Sequence, residues 1–456
     1  MSGMTLRPVV HNSAPQNAAT QNSAPQNGAG HRTADHGLPR GPFRWLLVAS
    51  VGDGIGDDIA RSVLPVVAVA VLGAGALETG VLNALGMAAF LILGVPAGVL
   101  VDRWPRKKLL IGANVVRAAA VMSVPLAFAA GARNLWHLFA VAAVVSAADV
   151  LFTAAHSAVM PTLLAGDQLA RGYARVQAVQ SGLAVATPAL VGQLIRILAA
   201  PAVLVFSGAA YLLSAGVTCG LPEVRAAAPP AKRGFLSEAR QGLACTWGQP
   251  LVRSLMVSIA LINAAGMWGA GAKVVFLLNT LHIAPDQVVA LGAVSAIGGL
   301  SAALLAPKLT LRYGIGRTKI VAGLAAAASL LLTPAAPVLG LESIVWVGLS
   351  GFGWSFFVVL TGLAGAGIVP RLVPAELMGR AMSTYRLVTL GIMPVASLAG
   401  GCLAEYAGEI TVLWSAALIA ALSVLPVIAS PLRRWTAFPD HLEAARSGEP
   451  APAPVG

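Results

Sequence analysis

The sequence predicts an all-α membrane protein of twelve transmembrane helices arranged as two pseudo-symmetric six-helix bundles. Three observations predict it. The 456 residues are 57% hydrophobic and only 11% charged, with a mean hydropathy of +0.79, too apolar for a water-facing surface at this size. The apolar residues fall in continuous runs of about 20. In lipid every backbone N–H and C=O needs an internal partner, so such runs are read as helices. Finally, lysine and arginine collect between alternate runs, as they do where a chain crosses a membrane repeatedly.

Breaking the runs at Pro, Gly and charge gives spans at about 44–72, 79–101, 109–131, 135–158, 170–198, 201–221, 251–281, 286–307, 318–340, 343–369, 376–405 and 410–432. With the N-terminus placed inside, 25 of the 30 Lys and Arg fall in inner tails and loops or toward the inner ends of the spans that adjoin them. Only Arg133 and Arg196 fall in outer loops, while Arg61, Arg117 and Lys273 fall within spans. The positive-inside rule then predicts a multi-pass protein of the cytoplasmic membrane with both termini in the cytoplasm. It also explains the net charge of +12 as topology, so no nucleic-acid partner is expected.

The segments outside the spans are of another kind. Residues 1–42 are rich in Asn, Gln, Ala, Pro and Gly and repeat NSAPQN at Asn12 and Asn22; they are expected to be a disordered cytoplasmic tail, as is 436–456. No short apolar segment with a small-residue cleavage site opens the sequence, so the first span is expected to act as the insertion signal. Cys219, Cys245 and Cys402 are far apart, with no spacing that suggests zinc, and no metal or cofactor is expected.

A polar stretch, 222–250, divides an N-terminal bundle (43–221) from a C-terminal one (251–435). The halves echo each other. The 2–3 loop GVLVDRWPRKK has a counterpart in KLTLRYGIGRTK, about 209 residues later when Arg103 is set against Arg312. The fifth and eleventh spans both carry Pro-Gly punctuation, GLAVATPALVG and GIMPVASLAGG. Two related six-helix halves are the sequence sign of a transporter that alternates about a central site.

The 2–3 loop resembles the signature of the major facilitator superfamily, G-x-x-x-D-R-x-G-R-R/K. Gly98, Asp102, Arg103, Arg106 and Lys107 match it, with Pro105 where the family usually has glycine. SVGDGIGDD (Ser50 to Asp58) and VPAELMGRAMSTYRLVTLGIMP (Val373 to Pro394) look like the drug:proton antiporter branch that contains macrolide-efflux and siderophore-exporter proteins. The resemblance covers about residues 43–435. It implies secondary active export of a small amphipathic molecule by proton antiport, with the proton gradient as energy source, and a monomer whose partners are its substrate and lipid. It also implies a gating loop in which Asp102 latches the inner side. The second-half counterparts are Arg312, Arg317, Arg380 and Arg386, the last two being candidate partners of Asp102. A carboxylate there can cap a helix N-terminus or pair with an arginine; the basic residues also suit anchoring to anionic lipid. Gly182, Pro188 and Gly192 resemble the exporter-type motif of the fifth helix, where small residues allow close packing and Pro bends the helix; simple helix packing explains them equally well.

An ionisable residue inside a membrane costs at least a few kcal/mol and marks a pathway or a paired site. Asp53, Asp57 and Arg61 are spaced i, i+4, i+8 and share one face, with Asp58 on an adjoining stripe. Asp53 and Arg61 lie roughly 13 and 25 Å along the helix from Arg44. Asp149 lies near the middle of the fourth span, which lines the central cavity in this superfamily. A carboxylate there holds a proton more tightly when poorly solvated and less tightly beside an arginine. Asp53, Asp57 or Asp149 is therefore the expected proton carrier, with Arg61 setting its affinity; the alternative is a static Asp57–Arg61 pair that only joins helices.

Weaker expectations attach to the remaining polar residues. Arg117 is expected to snorkel to the inner interface or to meet a carboxylate, Lys273 with Trp268 to anchor at the outer interface, and His156 and Arg171 to serve the inner 4–5 loop. The glycines of GDGIGDD are expected to loosen the first helix. HExxH, GxSxG, kinase and Walker A motifs are all missing from the sequence, so no enzyme is expected and ATP is not the energy source. Proton-coupled or facilitated uptake is the competing transport reading.

Overall fold

The computed structural model describes residues 41–164, 167–223, 247–373 and 378–435, and these are helical almost throughout. The helices are α1 (Pro42–Val66), α2 (Ala76–Arg103), α3 (Arg106–Ala129), α4 (Leu135–Leu163), α5 (Asp167–Ile197) and α6 (Ala200–Thr218). They continue as α7 (Pro250–Trp268), α8 (Pro285–Tyr313), α9 (Ile315–Ala335), α10 (Ser343–Gly365), α11 (Met378–Ala407) and α12 (Glu409–Leu422). A turn of π-helix, Val67–Val71, lengthens the end of α1, and another, Phe276–Thr280, follows the short helix Ala270–Val275 that comes after α7. Eleven of the described helices are long and apolar enough to cross a membrane. The remaining one, α1, is 25 residues, about 37 Å and long enough to span, but carries Arg44, Asp53, Asp57, Asp58 and Arg61. The expected tails and the expected central loop lie largely outside the described residues.

Chemistry at the helix ends explains the boundaries. Trp104 is extended ahead of Pro105, which stops α2, and Pro105 with φ −58° then stands at the N-cap of α3. The matching junction of the second half turns on a single residue, Gly314, at φ +82°, a conformation open to glycine. Asn134 caps α4 by accepting the Trp136 N–H at 2.9 Å.

The packing repeats with a shift of six helices. The pairs α1·α6, α3·α6, α2·α4, α3·α4 and α1·α5 recur as α7·α12, α9·α12, α8·α10, α9·α10 and α7·α11. Between the bundles, α5 packs on α8 and α2 on α11. These are two pseudo-symmetric six-helix bundles, as the sequence predicts.

Among the described residues the seam between the bundles is closed at one face only. At the face away from the arginine-rich loops, a Cβ on Gly80 of α2 would lie 2.7 Å from the Ser397 carbonyl of α11, and one on Gly192 of α5 would lie 2.8 Å from the Asp286 carbonyl of α8. An apolar cluster there draws Val69, Ala76, Ala272, Val275, Ala404 and Val412 from both bundles. At the basic face each bundle keeps its own cluster, one around Phe43, Leu110 and Met160, the other around Val252, Val369 and Leu432.

Candidate functional site: a charged cavity in the first bundle

The three glycines that open GDGIGDD bring α1 against its neighbours instead of loosening it. A Cβ on Gly56 would sit 2.7 Å from the Tyr211 ring of α6, and one on Gly52 would sit 2.9 Å from the Ala210 carbonyl. The helix runs unbroken through all of them. This close approach carries Asp53 and Asp57 to the middle of the bundle.

Arg117 is the hub found there. Its side chain has 0% exposure, and its guanidinium lies 4.6 Å from the ring centroids of both Phe152 and Tyr211, a cation sandwiched by two aromatic faces. Nη1 donates to Asp57 at 3.1 Å and to Asp149 at 3.4 Å. Nη2 donates to Asp53 and to the Asn114 side-chain oxygen. The Tyr211 hydroxyl donates to Asp57 at 2.5 Å, and the Thr153 hydroxyl reaches Asp149 at 3.4 Å. A second layer fixes the frame: Asn114 donates to Ser214 Oγ at 2.8 Å, and Ser214 donates to the Ala49 carbonyl at 2.7 Å.

Arg61 is held differently. It meets Asp57 at 3.7 Å and Asp149 at 3.5 Å, and 70% of its side chain is exposed. Both expected groupings of Asp57, Arg61 and Asp149 are therefore in contact at once. Of the two expectations for Arg117, the meeting with carboxylates is the one the structure contains. The sequence offered one signal for this, an arginine two turns inside an apolar span; Tyr211 and Asn114 gave none.

Beside this network is a cavity of about 470 Å³ lined by α1, α2, α4 and α5, with Asp53, Asp57, Asp58, Arg61, Asp149 and His156 on its wall. Asp58 has no ion-pair partner among the described residues. His156 is a correction to the loop role expected of it. It lies two turns before the end of α4, stacked on Phe152 and bonded to Ser50 across the bundle. Among the described residues no group of His, Cys, Asp and Glu is arranged to hold a metal ion.

The other expected positions are dispersed. Arg106 is buried and donates to the Ala158 carbonyl at 2.9 Å, and Lys107 donates to the Cys219 carbonyl at 2.6 Å. Arg103, Arg312, Arg317 and Arg386 are exposed, with Arg312 over the Tyr313 ring. The backbones of Gly98, Asp102 and Arg380 are helical; the side chains of Asp102 and Arg380, and with them the expected latch, lie outside the described residues. Pro188 of α5 packs against Gly292 of α8, in line with Gly192 one turn on, while Gly182 is open. Lys319, at the start of the ninth predicted span, is inside α9 at 1% exposure, donating to the Thr361 carbonyl at 2.9 Å. Lys273 lies in a short helix, Ala270–Val275, that packs on α2.

The sequence model of the Major Facilitator Superfamily matches residues 46–396. The chain belongs to this superfamily. This major facilitator protein is 24% identical over 377 residues to YfiS of Bacillus subtilis (strain 168), an uncharacterised MFS-type transporter, covering 80% of this chain and 87% of that one. It is 26% identical over 165 residues to macrolide efflux protein A of Enterococcus faecalis, 36% of this chain and 51% of the relative. Its fold is that of the nucleoside transporter NupG (TM-score 0.70, 15% identity, 85% of this chain and 99% of that chain). A bacterial homologue of the iron transporter ferroportin in an inward-facing state is similar too (TM-score 0.67, 16% identity, 85% and 98%). The protein is a multi-pass membrane transporter, and these major facilitator relatives are transporters, not enzymes.

Proposed function

We propose that this transporter exports a small amphipathic, cationic molecule across the cytoplasmic membrane by proton antiport, working as a monomer without a cofactor. The observation that carries the reading is the charge balance of the cavity. Asp53, Asp57, Asp58 and Asp149 contribute −4 and Arg61 and Arg117 contribute +2, which leaves −2 when all are ionised. In a medium of low dielectric that excess favours capture of positive charge. A proton and a cationic cargo then compete for the same carboxylates, and two ligands that exclude each other are carried in opposite directions.

Alternating access follows from the seam. With the basic face in the cytoplasm, the cavity is on the cytoplasmic side of the closure, ready to load from within. Rocking of the bundles about the midplane carries the loaded site to the other face, where protons displace cargo. The relative named for macrolide efflux supports the outward direction.

The test is accumulation of candidate drugs and metabolites in cells with and without the protein, each with and without a protonophore. Export is expected, and is expected to collapse with the gradient. Accumulation that rises with expression would reject export. Among Asp53→Asn, Asp57→Asn and Asp149→Asn at least one is expected to abolish gradient-driven transport; full transport in all three rejects these carboxylates as the proton site.

A further inference from the structure

His156 stands apart from the ion network but inside the cavity. Seven residues beyond Asp149 on α4, it lies roughly 10 Å nearer the basic face. Its Nε2 is 2.9 Å from Ser50 Oγ, and Ser50 gives its one hydroxyl proton to the Leu46 carbonyl, also at 2.9 Å. With that proton on the Leu46 carbonyl, the serine oxygen accepts from the ring; in the matching tautomer Nε2 carries the hydrogen and Nδ1 keeps a lone pair. No donor among the described residues reaches Nδ1, and His156 is one of the residues that line the cavity. Thr153, Gln177, Gln180 and Ser181 continue this uncharged, hydrogen-bonding wall.

We infer that His156 is a cargo-contact residue whose Nδ1 lone pair selects cations carrying a hydroxyl or N–H group roughly 10 Å from the cationic centre. The inference rests on the proposed function and narrows its substrate class. The carboxylates take the charge, and the wall nearer the basic face takes the polar end. A site that hydrogen-bonds a cargo group rejects a cargo lacking it, because the acceptor is then left dry and unpaired.

The test is equilibrium binding to the purified full chain in detergent. The two probes are doxorubicin, a protonated amine with several hydroxyl groups, and tetraphenylphosphonium, a cation with no hydrogen-bond donor. Glutamine keeps a donor toward Ser50 and removes the Nδ1 acceptor, whereas asparagine keeps an acceptor near the Nδ1 position. His156→Gln is expected to weaken doxorubicin binding about 3- to 10-fold, the net worth of one hydrogen bond, with tetraphenylphosphonium unchanged and His156→Asn losing less. Equal losses for both probes, no loss, or no doxorubicin binding by the unaltered protein would overturn the inference. So would an Nδ1-protonated ring in ¹⁵N-histidine NMR, a readout independent of any cargo. If the binding preference holds while cellular efflux ignores the protonophore, the antiport reading falls and this one stands.

Discussion

Arg117 turns three mutually repelling carboxylates into a stable core. It is buried, stacked on two rings and bonded to Asp53, Asp57, Asp149 and Asn114. Removing one partner of a buried ionic group leaves uncompensated charge, typically at 3–5 kcal/mol. Arg117→Met is therefore expected to lower stability by about that amount, read as a fall in melting temperature in detergent. Arg117→Lys is expected to be milder, since it keeps the charge but loses the fork that reaches several oxygens. Tyr211→Phe keeps the ring over Arg117 and removes the hydroxyl bonded to Asp57, a hydrogen bond to a charged group; a loss of about 1.5–3 kcal/mol is expected in the same melt. The carboxylates of this site were legible in the sequence, because charge inside an apolar run declares itself. Their partners were not. Spacing assigns Asp53 and Asp57 to one side of α1, but nothing in the spacing says that α3 and α6 supply what stands opposite.

The helices themselves were read well, because lipid demands long apolar stretches and the ends carry Pro, Gly and charge. The tenth predicted span, 343–369, begins where α10 does and overruns its last residue, Gly365, by one turn. The ninth predicted span, 318–340, starts three residues after the helix does and takes in Lys319. The α9 helix starts at Ile315, and the lysine lies within it, satisfied by a carbonyl of α10. The glycines of α1 were misread: their effect depends on the neighbouring helix, which a single run of sequence does not contain. Gly56→Ala would force a methyl to within 2.7 Å of the Tyr211 ring. Overpacking of that kind is expected to cost about 1–3 kcal/mol and to move the hydroxyl off Asp57. The check is a melt together with loss of proton-driven transport; full stability and activity would remove the close-packing account.

At the scale of the whole molecule, the asymmetry of the seam makes its conformational balance testable. Gly80 touches the other bundle's backbone in this closed arrangement, so Gly80→Val is expected to disfavour closure without disturbing packing inside either bundle. Spin-label distances between α2 and α11 at that face should lengthen; an unchanged distribution would count against the hinge. Arg196 and Asp286 make a cross-seam pair at 3.7 Å, with the arginine 62% exposed. Such a pair contributes about 0.2–1 kcal/mol, so breaking it should shift the populations less than about fivefold, and exchanging the two charges should restore them.

One arrangement recurs in both bundles. A cation of the third helix, Arg106 in one and Lys319 in the other, reaches a carbonyl near the end of the fourth, at Ala158 and Thr361. Positive charge at a helix C-terminus offsets the negative pole there. Each bundle thus carries a stitch across its own lower rim, one that holds whichever way the pair is tilted. Each behaves as a stiff lever, and the work of changing access falls on the fulcrum between them.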